Sequence, residues 1–260
     1  MNLDEYAQMY RLEDEHWWFV SRRRLLKRAM DRFPPPAPAD RPRRLLDVGC
    51  GTGGTLDWIA PLGEVTGLDA EPVALDFCRK RGYGNLLLAD ATNLPLSQNS
   101  IEAVIALDVL EHIPDDHAAT REIARVLAPG GMVYITVPAY RSLWSGHDVA
   151  LMHQRRYVAG EIRSLLERNG LEVVYLTYAL TAYFPLVWLI RKTRALLTPS
   201  APPRADVGMT PRSLNGLLRF WLDIEGELAL RVPLPFGLTV FAVGRKAAVP
   251  HRSRTEAGGA

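Results

Sequence analysis

The sequence predicts an α/β fold in which helices cover both faces of a largely parallel sheet. Two observations lead to this prediction. Short apolar runs, each the length of one strand, alternate with amphipathic helical stretches from about residue 44 onwards. A glycine-rich loop follows the first run, where a strand of a doubly wound sheet turns into a helix and can present backbone N–H groups to a ligand.

Seven segments have strand character. In chain order they are RLLDVG, GEVTGLD, GNLLLAD, IEAVIALDVL, GMVYITVP, LEVVYLTY and LTVFAVGRK. The helical stretches between them are TLDWIAPL, EPVALDFCRKRG, DDHAATREIARVLAPGG and EIRSLLERNG. The alternation predicts one sheet built from successive strand–helix units.

Residues 1–33 predict a helix that precedes the sheet. Trp18 shares a face with Leu25 and Ala29 and is the expected packing anchor, whereas Trp17 is expected to face a ligand or a cap. Arg22 and its two successors cannot all face one site, because successive helix residues turn by about 100°; those pointing elsewhere are expected to be solvated. The stretch FPPPAPADRPRR then predicts a connector that is neither helix nor strand.

Residues 179–235 interrupt the strand–helix alternation and predict a helical insertion. The 18 uncharged residues 173–190 reach the lower length of a membrane span, but Pro185 interrupts them and the sixth strand needs their first part. An insertion that caps the fold and an interfacial helix at 179–190 both remain open. Residues 247–260 are expected to be a disordered tail.

The composition argues against several classes of function. The 31 basic and 29 acidic residues give a net charge of +2, which calls for no polyanionic partner, so no nucleic acid is expected. Two cysteines, Cys50 and Cys78, indicate neither a disulfide framework nor a metal site. The acidic start of the chain is unlike a signal peptide, and we expect a cytoplasmic location, with peripheral contact to the inner membrane face left open. The oligomeric state is also left open.

The loop LLDVGCGTGG fits two classes of ligand. The motif G-x-G-x-x-G is matched by Gly49, Gly51 and Gly54, and the motif G-x-G-x-G is matched when Gly53 replaces Gly54. The loop alone therefore does not decide whether the ligand is a dinucleotide or S-adenosylmethionine. Asp47 precedes the first glycine by two residues. A carboxylate there would repel a pyrophosphate and suits a ligand with an ammonium group and a sulfonium centre.

Two further carboxylates end predicted strands. Asp69 ends the second strand and can hold the ribose hydroxyls of either ligand. Asp90 ends the third strand, beside Ala91, where it could reach an adenine amino group. Taken singly, each is also typical of a helix cap or a turn.

Five motifs together resemble the class I S-adenosylmethionine-dependent methyltransferase family. They are LLDVGCGTG, VTGLD, LLLADATNLPL, VIALDVLEHIPD and LAPGGMVYITVP, in the expected order and spacing. The resemblance covers about residues 45–178 and the last strand. It implies a Rossmann-like, doubly wound, seven-stranded sheet whose last strand, at 238–243, runs antiparallel. The expected organisation is a lid and connector at 1–44, a core at 45–178 plus 236–246, and a cap at 179–235.

The resemblance also implies S-adenosyl-L-methionine as the cofactor and assigns residues to it. The residues expected to contact it are Asp47, Gly49, Cys50, Gly51, Gly53, Asp69, Ala70, Asp90, Ala91, Asp108 and Val109.

Transfer of a methyl group to a hydroxyl requires a base. His147, in SGHDVALMHQRRY after the fifth strand, is the leading candidate, and His112 and Asp148 are further catalytic candidates. A turn-orienting histidine and a buried Arg–Asp network are the competing interpretations. No metal site is predicted, since neither a cysteine nor an H-x-x-x-H helix supports one. The residues expected to bind the acceptor are Trp17, Arg22, Trp144, His153, Arg156 and Tyr157.

These features favour a methyltransferase that acts on a small-molecule, sugar or lipid-like acceptor, with O- or C-methylation ahead of N-methylation. A non-catalytic S-adenosylmethionine-binding module that regulates a partner is one alternative. An RNA methyltransferase is another, although the chain lacks an N-P-P-Y-type motif and an extended basic stripe. An NAD-dependent oxidoreductase is disfavoured by Asp47.

Overall fold

A single seven-stranded sheet organises the protein, with strand order β3-β2-β1-β4-β5-β7-β6 in the computed structural model, which describes residues 3–197 and 210–248. Strands β1 to β5 pair in parallel, and β7 is antiparallel to both β5 and β6. The predicted doubly wound sheet with an antiparallel last strand is therefore confirmed. The strands are β1 (Arg44–Val48), β2 (Glu64–Asp69), β3 (Leu86–Leu88), β4 (Ile101–Leu107), β5 (Leu127–Pro138), β6 (Leu171–Ala179) and β7 (Thr239–Lys246).

In the described ranges, every stretch predicted as helical contains at least one helix, and one further helix was not predicted. The helices are α1 (Leu3–Leu12), α2 (Trp17–Arg32), α3 (Leu56–Ile59), α4 (Pro72–Lys80), α5 (Asp116–Val126), α6 (Gly146–Ala150), α7 (Ala159–Arg168), α8 (Phe184–Leu197) and α9 (Arg212–Arg231). Helix α6 lies in a segment that the sequence indicated only as a loop. A capping box forms it, in which Ser145 and Asp148 bond each other's backbone N–H groups.

The prediction of one helix over residues 1–33 is wrong, because the chain breaks between α1 and α2. His16 has an extended backbone, and its Nδ1 accepts a hydrogen bond from the Trp18 N–H at 3.3 Å, which begins α2 as an N-cap. Glu13, just before the break, is buried against the rest of the protein. Tertiary contacts at these residues override their helical pattern.

Side chains from different helices fill the two faces of the sheet. Helices α5 and α7 pack Ile123 and Leu166 against one face. Helices α2 and α9 pack against the other face, where Leu26 and Leu230 meet Phe241 of β7. Helix α9 is part of the insertion, and it also contributes side chains to the core of the sheet domain.

None of the helices in the described ranges is long and apolar enough to cross a membrane. Of the predicted tail, residues 249–260 lie outside the described part of the chain, as do residues 198–209 of the insertion.

Candidate cofactor and acceptor site

A cavity of about 850 Å³ opens at the carboxyl ends of the parallel strands, where doubly wound folds bind ligands. The glycine loop and the ends of β1, β2 and β4 form its floor. Helices α1 and α2 wall one side, and Val187 and Ile190 of α8 contribute to another. The cavity therefore runs from the glycine loop to the insertion.

Close packing explains the glycines of the loop. Gly49 has a φ of +66°, and a Cβ there would lie 2.5 Å from Cγ2 of Val109. Gly51 has a φ of +55°, and its Cβ would lie 2.8 Å from Cε of Met9 in α1. Both glycines line the cavity, so a side chain at either position would clash with a neighbour and strain the backbone.

Asp47 lines the cavity with a carboxylate that is not fully paired. It is only 2% exposed, and its Oδ2 atom is buried without a hydrogen-bond partner. Burial raises the pKa of Asp47 to about 8, and the positive charge of Arg22 opposes that rise. A cationic group bound nearby would satisfy this carboxylate.

The other two strand-end aspartates also line the cavity. Asp69 is buried, and its two oxygens accept hydrogen bonds from the N–H groups of Gly51, at 2.9 Å, and Glu71, at 3.0 Å. Asp90 is exposed, and its Oδ1 atom accepts from the backbone and hydroxyl of Thr92 at 2.7 and 2.8 Å. Asp69 is thus fixed by the loop itself, whereas Asp90 presents its other oxygen at the rim.

Asp108 at the end of β4 joins the floor to the N-terminal wall. Its backbone has a φ of +55°, its Oδ1 accepts from the Thr136 hydroxyl at 3.0 Å, and its Oδ2 pairs with the guanidinium of Arg22. Arg22 was expected to bind the acceptor. In the structure the partner is the protein's own carboxylate.

The other two arginines of the cluster are not solvated as expected. Arg23 is 3% exposed and donates to the Glu13 carbonyl, and Arg24 pairs with Asp223 of α9. Glu13 in turn accepts from Arg81 at 2.8 Å and from the Thr52 hydroxyl. The three arginines thus point in three directions, and each stabilises a different contact of α2.

Both tryptophans of α2 line the cavity, although only Trp17 was expected to do so. Trp17 lines the cavity as predicted, and its ring lies 5.5 Å from that of Tyr183, just before α8. Trp18 was predicted to be the packing anchor, but it is only half-buried and also lines the cavity. The first turn of α2 overlies the cavity, so the sheet-facing positions begin further along, at residues such as Leu25 and Leu26.

Three histidines lie together in the cavity lining, in a part that we call the histidine end. The ring centroid of His153 lies 4.7 Å from that of His112 and 6.0 Å from that of His147. Burial, and then the neighbouring His153, lowers the pKa of His112 to about 4, so this imidazole is neutral at pH 7. The two catalytic candidates His112 and His147 and the acceptor-binding candidate His153 thus lie close together at the cavity.

Asp148 is an anchor for this end of the cavity rather than part of its wall. It is fully buried, and its Oδ1 atom lies 2.9 Å from Nδ1 of His153 and 2.7 Å from Nε of Arg156. Although burial alone would raise the pKa of Asp148, His153 and Arg156 hold it below its usual range. This arrangement is the buried Arg–Asp network, the competing interpretation of the segment, and it positions His153 and Arg156 at the cavity.

Besides Asp148, three predicted site residues do not line the cavity. Trp144 is 42% exposed and does not line the cavity, so the structure does not support an acceptor-binding role for it. Tyr157 is a core residue that packs with side chains of β5 and α7. Its hydroxyl donates to Asp116 at 2.8 Å. Gly53 faces α4, where a Cβ would lie 3.1 Å from Sγ of Cys78.

Sequence reasoning missed Glu111, which lies beside His112 in LEHIPD and lines the cavity. It is fully buried, and neither carboxylate oxygen has a hydrogen-bond partner. Burial first, and then the neighbouring Asp108, raises the pKa of Glu111 well above its usual range. The sequence feature that could have indicated Glu111 is its position in a short turn directly after a buried strand. The structure also places Tyr6 and Met9 of α1 in the wall, which no motif indicated.

Residues 46–135 match the family model described as "Methyltransferase domain". A protein of Mycolicibacterium smegmatis named "Probable S-adenosylmethionine-dependent methyltransferase" is 32% identical over 171 residues, or 62% of each chain. The match thus spans less than two thirds of that relative. An Aspergillus nomiae protein named O-methyltransferase rstn1 is 30% identical over 50% of this chain and 71% of its own. Norajmaline N-methyltransferase of Rauvolfia serpentina is 30% identical over 41% of this chain and 39% of its own.

Solved structures share the fold. One is a complex of the Haloferax volcanii Trm112 methyltransferase activator with a methyltransferase. It matches with a TM-score of 0.60 at 21% identity, over 96% of this chain and 97% of the matched one. The [4+2]-cyclase SpnF matches with a TM-score of 0.54 at 23% identity, over 87% and 82%. At these identities the likeness concerns the fold alone.

Proposed function

This chain belongs to the class I S-adenosylmethionine-dependent methyltransferase family, and we propose that it methylates a small-molecule, sugar or lipid-like acceptor. The cofactor supplies an electrophilic methyl group: the S–CH₃ bond breaks with its electron pair left on sulfur, a bond to the acceptor forms, and the acceptor loses one proton. What the chain itself adds is binding, alignment and a place for that proton.

One observation supports the proposal most strongly. A single cavity joins the carboxylate-lined glycine loop to a wall of aromatic and aliphatic side chains and to three histidines. A donor held at the loop and an acceptor held at the other end would share one enclosed space. That is the arrangement that alignment of two reactants requires.

The glycine-loop end fits the cofactor. The unpaired Oδ2 of Asp47 offers a buried acceptor for an ammonium group, and Gly49 and Gly51 keep the loop free of side chains where Val109 and Met9 approach. Asp69 retains lone pairs for ribose hydroxyls beyond the two backbone hydrogen bonds it accepts. Asp90 and Ala91, after β3, and Asp108, after β4, line the same cavity.

His147 is the proposed base. It is half-buried and lines the histidine end of the cavity. Asp148 is excluded from this role because its oxygens are committed to His153, Arg156 and the capping box. In a His147→Ala variant we expect turnover to fall by roughly 10²–10⁴-fold while cofactor affinity stays unchanged. Turnover close to that of the unmodified protein would exclude His147 as the base.

The cavity wall favours an acceptor with an apolar part. Trp17, Trp18, Phe19, Val187 and Ile190 present large hydrophobic surfaces to it. We propose O- or C-methylation, because histidines beside the cavity can take the proton that a hydroxyl or an acidic carbon loses. The N-methyltransferase among the relatives is the reason to test amines as well.

Methyl-labelled S-adenosylmethionine tests the function directly. The protein is incubated with the label and with lipid, aqueous-metabolite, RNA and protein fractions from cell extract. We expect label in the lipid or aqueous-metabolite fraction, lost in the His147→Ala variant. Label in RNA alone would overturn the acceptor class. Cofactor binding without label in any fraction would favour a regulatory module, or another reaction such as that named for the structural neighbour SpnF.

We further propose that helices α8 and α9 contact a membrane surface peripherally. Leu214, Leu217, Trp221, Ile224 and Leu228 follow spacings of three and four along α9 and are 45–55% exposed, so they form an apolar stripe on its outer face. Helix α8 adds exposed Leu186 and Leu189. Exposed basic residues, Lys192 and Arg212, lie on the same two helices and suit anionic headgroups.

Cosedimentation with vesicles tests this contact. The unmodified protein should bind vesicles that contain phosphatidylglycerol, and Trp221→Glu should weaken binding roughly tenfold. Val158→Glu, at an exposed site before α7, is the control and should leave binding unchanged. Equal binding by the unmodified protein and the Trp221 variant would rule out the α9 stripe as the membrane contact.

A further inference from the structure

Three potential metal ligands converge at the histidine end of the cavity. Glu111, His112 and His153 each offer one ligand atom, and these atoms lie within 4.8 Å of one another. All three residues line the cavity. Glu111 and His112 are adjacent in the chain, and His153 is brought to them by the turn that follows α6.

The Glu111 carboxylate needs a partner that the protein does not provide. It is fully buried, and both its oxygens lack a hydrogen bond. The nearby guanidiniums are engaged elsewhere: Arg22 pairs with Asp108, and Arg156 pairs with Asp148. A buried carboxyl without a hydrogen bond is costly in either protonation state, and a cation bound at the cavity would compensate its ionised form.

The His153 imidazole is oriented as a metal ligand usually is. Nδ1 of His153 lies 2.9 Å from Oδ1 of the buried Asp148, which leaves Nε2 as the nitrogen with a lone pair for a cation. The His112 ring lies beside this imidazole, with its centroid 4.7 Å from that of His153. A carboxylate or carbonyl behind a histidine fixes its tautomer and increases its basicity toward a metal.

We propose that Glu111, His112 and His153 form a binding site for a divalent transition-metal cation of the zinc class. Two imidazoles and one carboxylate are a typical ligand set for such cations, whereas Mg²⁺ and Ca²⁺ prefer oxygen ligands throughout. Tetrahedral ligation at about 2.0–2.2 Å holds ligand atoms roughly 3.3 Å apart, so binding requires only small side-chain rotations from the present spacing. No cysteine takes part, which explains why cysteine counting missed the site.

Such a site would leave a coordination position open to the cavity, where an oxygen of the acceptor could bind and be positioned. This consequence rests on the proposed function, whereas cation binding itself does not. His112 then serves as a ligand and His147 remains the base.

Cobalt binding tests the proposal without any methyl transfer. Protein without a polyhistidine tag, stripped with chelator, is titrated with Co²⁺ and then with Zn²⁺ in the absence of cofactor and acceptor. We expect one Co²⁺ per chain, visible d–d absorption of a tetrahedral or five-coordinate site, and displacement by Zn²⁺. The absence of a thiolate charge-transfer band distinguishes this site from the buried pair Cys50 and Cys78, whose sulfurs are 3.8 Å apart.

Single variants assign the ligands. His112→Ala, His153→Ala and Glu111→Gln should each weaken Co²⁺ binding roughly tenfold or more. His117→Ala is the matched control, because His117 bonds Asn169 away from the cavity, and it should bind as the unmodified protein does. Thermal melting and cofactor titration show whether each variant is folded.

The outcomes separate this proposal from the proposed function. No stoichiometric Co²⁺ binding by the folded protein, or unchanged affinity in the Glu111→Gln and His153→Ala variants, would overturn the site and leave the methyltransferase assignment untouched. Conversely, stoichiometric binding lost in the ligand variants establishes the site even if no acceptor becomes labelled.

Discussion

The guanidinium of Arg22 pairs with the carboxylate of Asp108 and so joins helix α2 to the end of strand β4. Both side chains are about one-fifth exposed, at 18% and 20%, and both line the cavity. The N-terminal segment is therefore attached to the floor of the site through a charged pair. Five predictions concern this attachment, the glycine loop, the buried Asp47, which carries two of them, and the aromatic wall.

Arg22→Met should loosen the N-terminal wall. Asp108 would keep only its hydrogen bond from Thr136, so we expect a loss of about 1–3 kcal/mol in unfolding free energy and roughly tenfold weaker cofactor binding. Arg24→Met is the control, because Arg24 pairs with Asp223 on α9, and it should lower stability but preserve cofactor affinity. Urea unfolding and calorimetric titration measure the two quantities. Equal cofactor affinity in both variants would mean that the pair with Asp108 does not organise the site.

Gly49→Ala should weaken cofactor binding by more than backbone strain alone would. Gly49 and Gly82 both have positive φ angles, so alanine at either costs about 1–2 kcal/mol of backbone strain. A Cβ at Gly82 meets nothing within 4 Å, whereas at Gly49 it would displace Val109. We expect the Gly82 variant to bind cofactor normally and the Gly49 variant to bind roughly tenfold more weakly or worse. Similar affinities would show that backbone strain alone matters.

Asp47 should make stability depend on pH. Its folded-state pKa of about 8 lies above the unfolded value, so the folded state binds the extra proton. The contribution is fully present below about pH 4, the unfolded pKa, and is lost as pH rises through about 8. Asp47→Asn should make this decline smaller, which unfolding curves between pH 5 and pH 9 would show, while Glu111, whose pKa is also raised, keeps its own contribution. A parallel decline in the variant would assign the effect to another group.

The same carboxylate should release a proton when the cofactor binds. A bound ammonium group favours the ionised form of Asp47, so its pKa falls and a proton leaves near pH 7. Calorimetric titrations in buffers with different ionisation enthalpies would detect the release, and Asp47→Asn should abolish it. A buffer-independent enthalpy in the unmodified protein would contradict an ammonium contact at Asp47.

Trp17→Ala should affect the acceptor more than the cofactor. Trp17 contacts Tyr183 and lines the cavity, so its loss opens the wall between α2 and the insertion. We expect KM for the acceptor to rise roughly tenfold with little change in cofactor affinity. Trp144→Ala, at an exposed position outside the cavity, should leave both unchanged. A larger loss in the Trp144 variant would overturn this assignment of the wall.

Local sequence patterns were sufficient to predict the strands of the sheet and its ligand-binding edge. Apolar runs such as IEAVIALDVL become fully buried strands, and the strand-end position of Asp69 already implied a place at the ligand-binding edge of the sheet. Even the divergence of Arg22 from Arg23 follows from helical geometry. These inferences succeed because backbone periodicity and burial are encoded within a few residues.

Contacts between distant segments decided the rest. The break after Glu13 depends on Arg81 and Thr52. The role of Asp148 depends on His153 and Arg156. No rule of sequence spacing predicts that these groups come together. The sequence by itself therefore determined the strand order along the chain, the glycine loop and the family. Only the tertiary structure decided which charges are paired. It also decided that Glu111 is buried without a partner beside two histidines. The physical reason is that the pairing and burial of charges depend on side chains far apart in the chain.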